Sequence, residues 1–299
     1  ECLENDISLP MFEYRRAKEL SDAAVAEGKT AKIHIAVDTG MSRIGLFPDE
    51  GSVEIVKEIA ELPALRIAGM FTHFARADEA DKTNAGEQYR RFREFCDDVK
   101  AAGVAVPVCH CSNSAGIVEL PDFNMDAVRA GITIYGMYPS DEVKQDIISL
   151  KPAMALKSFI TYIKEIGPGT EVSGGTFKAE KTMRIATVSA GYGDGYPRNL
   201  SGKGEVLIHG KRAKILGRIC MDQFMADLTG IPEAKEGDSV TLVGRDGNQE
   251  ITMEELAEIS GGFHYEIPCL IGKRVPRRYV KNGKEVGGMM CRDEEYEGF

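Results

Sequence analysis

Between residues 11 and 136, apolar runs rich in β-branched residues alternate with helical patterns, and this alternation restricts the possible fold most. Residues 11–27, MFEYRRAKELSDAAVAE, carry apolar positions at helical spacing and stop at Gly28. KIHIAVD (32–38) reads as a buried strand, followed by the turn TGMSRIG. Asp49 to Leu62 is helical again, LRIAGMFTH (65–73) is a second strand, and Asn84 to Ala102 is a long amphipathic helix closed by Gly103. PVCH and MDAVR are the third and fourth strands, with a helical turn at 114–120 between them. Strands and helices in this order predict parallel βα units, as in an α/β barrel. A closed barrel needs eight strands in typically about 250 residues. Strand periodicity supplies about four βα units before the pattern changes near residue 150. The barrel is therefore expected to be incomplete here, with its N-terminal part absent from this chain.

From Leu150 the character changes. AMALKSFITYIKEI, TMRIATVSA, EVLIHG, AKILGRIC, FMADLT and SVTLVG are short apolar runs separated by Gly-rich turns, the signature of an antiparallel β domain. One helix interrupts it: Thr252 with Glu255 forms a capping-box pattern before MEELAEIS, and Gly261-Gly262 stops it. The expected division is 1–145 for the C-terminal part of the barrel, 146–288 for the β domain and 289–299 for a frayed tail. No internal repeat or low-complexity tract interrupts this plan.

Charge and cysteine usage narrow the partners. The net charge is -10 and the basic residues form no run, which argues against nucleic acid or an anionic membrane. No apolar window is long enough for a membrane span, and no signal-peptide pattern opens the chain. The seven cysteines are an odd number, scattered and without a C-x-x-C pair, as expected for reduced thiols in a cytoplasmic protein. Cys109 and Cys111 flank His110, but alternate strand positions face opposite ways, so they make a poor metal site.

The chemistry points to Val108–Gly136. Two apolar runs, Pro107–His110 and Asp126–Arg129, each empty into small and polar residues: Ser112-Asn113-Ser114-Ala115-Gly116 and Ala130-Gly131-Ile132. Small residues there let the backbone approach an anion, and hydroxyls and free N–H groups can hold a phosphate. Arg129, ending the second run, would point into the same place. A cup for a phosphorylated cofactor is one reading, and an ordinary strand-to-helix cap is the other. Likewise His73 and His34 on apolar strands read singly as satisfied core histidines, and Tyr192 and Tyr196 as turn aromatics.

Seven segments decide between these readings. VDTGMSRIG (37–45), FTHFARAD (71–78), HCSNSAG (110–116), VRAGITIYG (128–136), GYGDGYPR (191–198), GRICMDQ (217–223) and YEIPCLIGKRVPR (265–277) together resemble alanine racemase, in the family's order and over nearly the whole chain. The resemblance implies an α/β barrel followed by a β domain, pyridoxal 5'-phosphate as cofactor, and a head-to-tail homodimer. It implies interconversion of L- and D-alanine by two-base proton transfer on a pyridoxal-phosphate aldimine, supplying D-alanine for peptidoglycan. By the same resemblance Ser114, the backbone at Gly131 and Ile132, and Tyr265 bind the cofactor phosphate. Arg129 bonds the pyridine nitrogen, with His73 and Asn113 beside it. Arg43 and, through its backbone, Met221 bind the substrate carboxylate, while Tyr192, Asp78 and Arg218 line the substrate entryway.

An arginine on the ring nitrogen fits such a reaction. Its pKa above about 12 keeps its proton in place, so the nitrogen stays unprotonated and full delocalisation of a carbanion is restrained. Two departures stand against the family pattern. Its Schiff-base lysine would precede Glu1, and its second base is a tyrosine in Val-Ser-Tyr-Gly, where this chain reads Val172-Ser173-Gly174. Ala36 also stands where many relatives have a lysine. Catalytic bases are thus none certain within the 299 residues, with Arg129 and His73 as supporting groups. Serine racemisation by a related domain and a non-catalytic pyridoxal-phosphate-binding fragment remain the alternatives.

Overall fold

A computed structural model describes residues 1–290 of the chain, which divide into two compact units, Glu1–Ala153 and a second beginning at Met154. In the first unit β1 (Leu9–Met11), α1 (Tyr14–Ala26), β2 (Ala31–Ala36), α2 (Glu50–Ala60), β3 (Leu65–Phe71), α3 (Thr83–Ala101), β4 (Cys109–His110) and α4 (Ser114–Glu119) follow in order. The strands form one parallel sheet ordered β1-β2-β3-β4, half the strands of a closed barrel. Side chains pack between sheet and helices: Ile33, Ile35 and Met70 from the strands meet Val56 and Ile59 of α2 and Phe92 and Phe95 of α3, all buried. Helix α2 starts where Asp49 accepts a 2.8 Å bond from the Ser52 amide, with Glu50 in its first turn and Lys57 in its last.

The structure departs from the sequence reading at two places in this unit. Residues 11–27 are not one helix: Leu9, Pro10 and Met11 pair in parallel with Ile33, His34 and Ile35, and α1 begins only at Tyr14. A strand of three residues is too short to show a period, and its proline is tolerated because β1 lies at the sheet edge. The expected strand at Asp126–Arg129 is likewise not a ladder member. It runs extended beside β4 on two backbone bonds, Asp126 N to Cys109 O and Arg129 N to Ser112 O, both 3.0 Å. The Asp126 carboxylate takes the Cys109 amide at 2.8 Å, a side chain occupying a donor that a ladder would use.

The second unit is built from β5 (Leu156–Ile166), β6 (Glu171–Val172), β7 (Phe177–Lys178), β8 (Met183–Val188), β9 (Glu205–Ile208), β10 (Lys211–Leu216), β11 (Phe224–Asp227), β12 (Ser239–Asp246), β13 (Gln249–Ile251), α5 (Met253–Ser260), α6 (Glu266–Leu270), β14 (Arg277–Lys281) and β15 (Lys284–Met289). Its main sheet is antiparallel, ordered β13-β12-β5-β8-β11-β10-β9, and β12 also pairs with β9 through Thr241 and Leu207, so six strands close on themselves. Thr252 caps α5 by accepting the Glu255 amide at 3.1 Å, and Gly261 ends it with φ +70°. The reciprocal half of the capping box is replaced: the Glu255 carboxylate pairs instead with Arg212 of β10, at 2.5 Å and 3.0 Å. The hairpin β14–β15 reaches Met289, and the remainder of the expected tail, 291–299, lies outside the described residues.

Candidate active site

The parallel sheet of the first unit ends in a cluster organised by Arg129. Its Nη1 donates to His110 Nδ1 at 2.6 Å and to the His110 carbonyl at 3.3 Å. Its Nη2 reaches the carbonyls of Thr72 at 2.8 Å and Cys111 at 3.2 Å, and His73 Nδ1 at 3.4 Å. The guanidinium also sits 5.5 Å from the Phe71 ring centre. Every one of these partners is neutral. Among the described residues no carboxylate pairs with Arg129, and its Nε–H has no protein acceptor.

Because a guanidinium only donates, its bond to His110 fixes a tautomer. His110 Nδ1 accepts, its proton is on Nε2, and Nε2 donates to His34 Nδ1 at 2.9 Å. β3 lies between the strands that carry these two rings, yet they meet across it because residue 69 has no side chain. A Cβ on Gly69 would lie 2.5 Å from two His34 ring atoms and 2.6 Å from the Val108 carbonyl oxygen. Both imidazoles next to Arg129 are held uncharged. Burial first, then the Arg129 charge, push His73 down to about 4, with Arg43 adding to it. The same two causes, followed by His34, push His110 down to about 4. Burial also lowers the Arg129 pKa, and the charge of Arg43 adds to that.

Beside Arg129 lies a group of donors. Ser114 Oγ accepts from the Gly131 amide at 2.9 Å and the Thr133 amide at 3.4 Å, and stands 3.2 Å from Thr133 Oγ1. Asn113 caps α4 through the Gly116 amide at 3.1 Å, and its Nδ2 is 3.4 Å from the Phe74 carbonyl oxygen. Ile132 is buried. Arg43 is exposed on the loop after β2, which Asp38 shapes by accepting the amides of Gly40 at 3.0 Å and Ser42 at 2.9 Å. Asp78 is half-buried, and its carbonyl accepts from Ser140 Oγ at 2.5 Å.

The other expected residues gather in the second unit. The Tyr192 amide donates to Cys220 O at 3.1 Å and the Gly193 amide to Met221 O at 2.9 Å. A Cβ on Gly191 would lie 2.3 Å from both of those carbonyl oxygens, so the GYGDGY turn can pack there only as glycine. Arg274 ties the two loops through Asp194 at 2.9 Å and Asp222 at 2.6 Å. Next to them the β6–β7 turn leans on Arg218, whose carbonyl accepts from Ser173 Oγ at 2.9 Å. Three residues in that turn have left-handed backbones: Ser173 (φ +52°), Gly174 (φ +66°) and Gly175 (φ +78°). Tyr265 opens α6 with its ring stacked 4.5 Å from Phe263.

Sequence reasoning weighed His110 only within a poor metal site, passed over Thr72 and Thr133, and placed His34 among satisfied core histidines without naming its partner. A signal existed for the histidines: His34 and His110 sit on strands flanking the Gly69 strand. Only the register, with His34 opposite Gly69 and His110 opposite Phe71, shows that they touch.

With this geometry in view, the relatives are informative. A family model described as "Alanine racemase, N-terminal domain" matches residues 1–139, and "Alanine racemase, C-terminal domain" matches 153–279. The chain belongs to the alanine racemase family. An alanine racemase of Clostridium perfringens is 46% identical over 285 residues, covering 95% of this chain and 74% of that one. The solved alanine racemase of Clostridium difficile superposes with a TM-score of 0.92 at 38% identity, over 97% of this chain and 75% of that chain. That of Bacillus anthracis with bound L-Ala-P gives a TM-score of 0.90 at 37% identity, over 97% and 74%. Alanine racemase membership accounts for the succession of a parallel α/β unit and an antiparallel β unit. Among the described residues no helix is long and apolar enough to cross a membrane, and no group of three or more His, Cys, Asp or Glu could hold a metal.

Proposed function

We propose that the protein interconverts L- and D-alanine with pyridoxal phosphate held at the end of the parallel sheet. The observation that carries this reading is Arg129: a half-buried cation bonded only to neutral acceptors, with Nε–H unused among the described residues. Such a group suits a ligand that is anionic overall and presents a ring nitrogen as acceptor. The hydroxyls of Ser114 and Thr133 and the amide of Gly131 form a donor set suited to a phosphate, with Tyr265 assigned to the same phosphate by the family resemblance.

Once bound, pyridoxal phosphate supplies an electron sink that acidifies the α-hydrogen of an amino acid. The protein's residues set the limits of that chemistry. Arg129 would donate to the ring nitrogen without surrendering its proton, a charge setting that would favour return of the hydrogen over side reactions. Three backbone carbonyls and His110 fix the guanidinium from behind, so it cannot turn to follow the ligand. Neutral His73 and His110 add no positive charge to that of Arg129 and Arg43. Arg43, with no carboxylate partner among the described residues, binds the substrate carboxylate together with the Met221 backbone of a second copy. We assign Tyr192, Asp78 and Arg218 to the substrate entryway, a head-to-tail homodimer as the working assembly, and the cytoplasm as its compartment. The turn Ser173–Thr176 holds no tyrosine, so the position of the family's second base is altered in this chain.

The test follows optical activity of L-alanine and visible cofactor absorbance in the natural protein, with L-serine assayed beside it. Loss of rotation faster for alanine than for serine supports the reading. Ser114→Ala is expected to weaken cofactor retention about 10-fold or more, as for loss of a charge-assisted bond. Arg129→Glu is expected to abolish it. Variants that keep both cofactor and racemisation sink the assignment.

A further inference from the structure

We propose that Gln88 of α3, outside every motif above, is a positioning residue that sets the loops carrying His73 and Arg43 at the proposed active site. The inference rests on the functional reading only for the role of those loops; the contacts stand by themselves. Gln88 is 1% exposed, which for an amide side chain demands that its polar atoms be bonded. They are, and each bond goes to the site end of the sheet. Nε2 donates to the His73 carbonyl at 3.0 Å and to Thr39 Oγ1 at 3.1 Å, while Oε1 accepts the Ala75 amide at 2.8 Å. Thr39 Oγ1 in turn lies 2.7 Å from Thr72 Oγ1. Both threonines are buried.

One helical side chain thus joins the loop after β2, which leads to Arg43, to the segment after β3, which contains His73. The link extends to the cation, because the Thr72 carbonyl accepts from Arg129 Nη2 at 2.8 Å. The loop also passes within reach of this side chain: a Cβ at Gly40 would make ordinary van der Waals contact with Gln88, 3.6 Å from its Cγ. Nothing else in α3 reaches these loops with a hydrogen bond, since its exposed face is occupied by pairs such as Arg90 with Glu87 and Glu94. A buried, fully bonded amide also costs more to replace than to keep, because an apolar substitute strands the His73 carbonyl and the Ala75 amide and leaves Thr39 with Thr72 alone.

The test compares Gln88→Met, similar in volume and without donors or acceptors, with Thr39→Val, a milder cut of the same link that keeps the fold if the first variant does not. Two readouts separate positioning from general damage. In cofactor-free protein, NMR titration of His73 should shift from about 4 toward its ordinary value as His73 loses first its burial and then its place beside Arg129 and Arg43, a change of at least about tenfold in proton affinity. In the natural protein with cofactor, KM for L-alanine should rise about 10-fold with kcat changed far less, because Arg43 loses its place while the cofactor cup at Ser114 stays. Unchanged titration and unchanged KM in both variants overturn the inference. If the wild-type protein itself fails to racemise alanine, the functional reading fails, and the His73 titration alone then decides the positioning role.

Discussion

At the scale of single residues, the site is an arrangement for keeping one cation charged and two imidazoles neutral at the same place. Gly69 makes it possible by leaving room for His34 to reach His110. Gly69→Ala forces a Cβ into a ring and a backbone carbonyl, and is expected to destabilise the fold by about 1–3 kcal/mol, measured by urea unfolding, as for other overpacked sites. The histidines also give a signed pH dependence. Their folded pKa values, about 4, lie below the unfolded value of about 6.5, so between these limits the unfolded chain binds more protons. The stability from burying them neutral is therefore present above about pH 6.5 and is lost as pH falls toward about 4. Melting temperatures across that window should fall with acid, and fall less in a His110→Gln variant. An equal slope in both would deny His110 this role.

At the scale of elements, α4 shows how local chemistry serves the site. Six residues are too few for a stable helix alone, and the Asn113 cap holds the turn that presents Ser114. Asn113→Ala should cost about 1 kcal/mol in thermal unfolding and loosen cofactor binding along with it. The β6–β7 turn gives a prediction of opposite sign. Inserting a tyrosine between Ser173 and Gly174 restores the family's pattern and should raise racemisation; no gain would show that the turn, with its three left-handed residues, serves the reaction in another way. Long periodic elements were readable from sequence: α2, α3, β3 and α5 appear within a few residues of their expected bounds. What escaped was set by partners distant in sequence. β1 exists because Ile33 and Ile35 are beside it, and Asp126–Arg129 is no strand because a carboxylate takes the ladder's donor. The site was legible as motifs, and the structure bonds Ser114 Oγ to the Gly131 amide, two residues after Arg129. The His34–His110 contact and the Gln88 link were not, because they depend on sheet register and helix rotation.

At the scale of the whole molecule, the residues assigned to one reaction are divided between two units: the cup and its cation in the first, and Tyr192, Met221, Arg218 and Tyr265 in the second. On the proposed assignment a homodimer would let a second copy supply the Met221 backbone, and Met221, Phe159 and Tyr162 are each exposed on the second unit. Sedimentation of the natural protein is expected to give a dimer, and full activity in a species that sediments only as a monomer would exclude shared sites. The most direct test of the central claim is difference density from crystals soaked in pyridoxal phosphate. The account predicts the phosphate beside Ser114 Oγ and the Gly131 amide, with the ring nitrogen in hydrogen-bond reach of Arg129. Density elsewhere, or none at these residues, would contradict it.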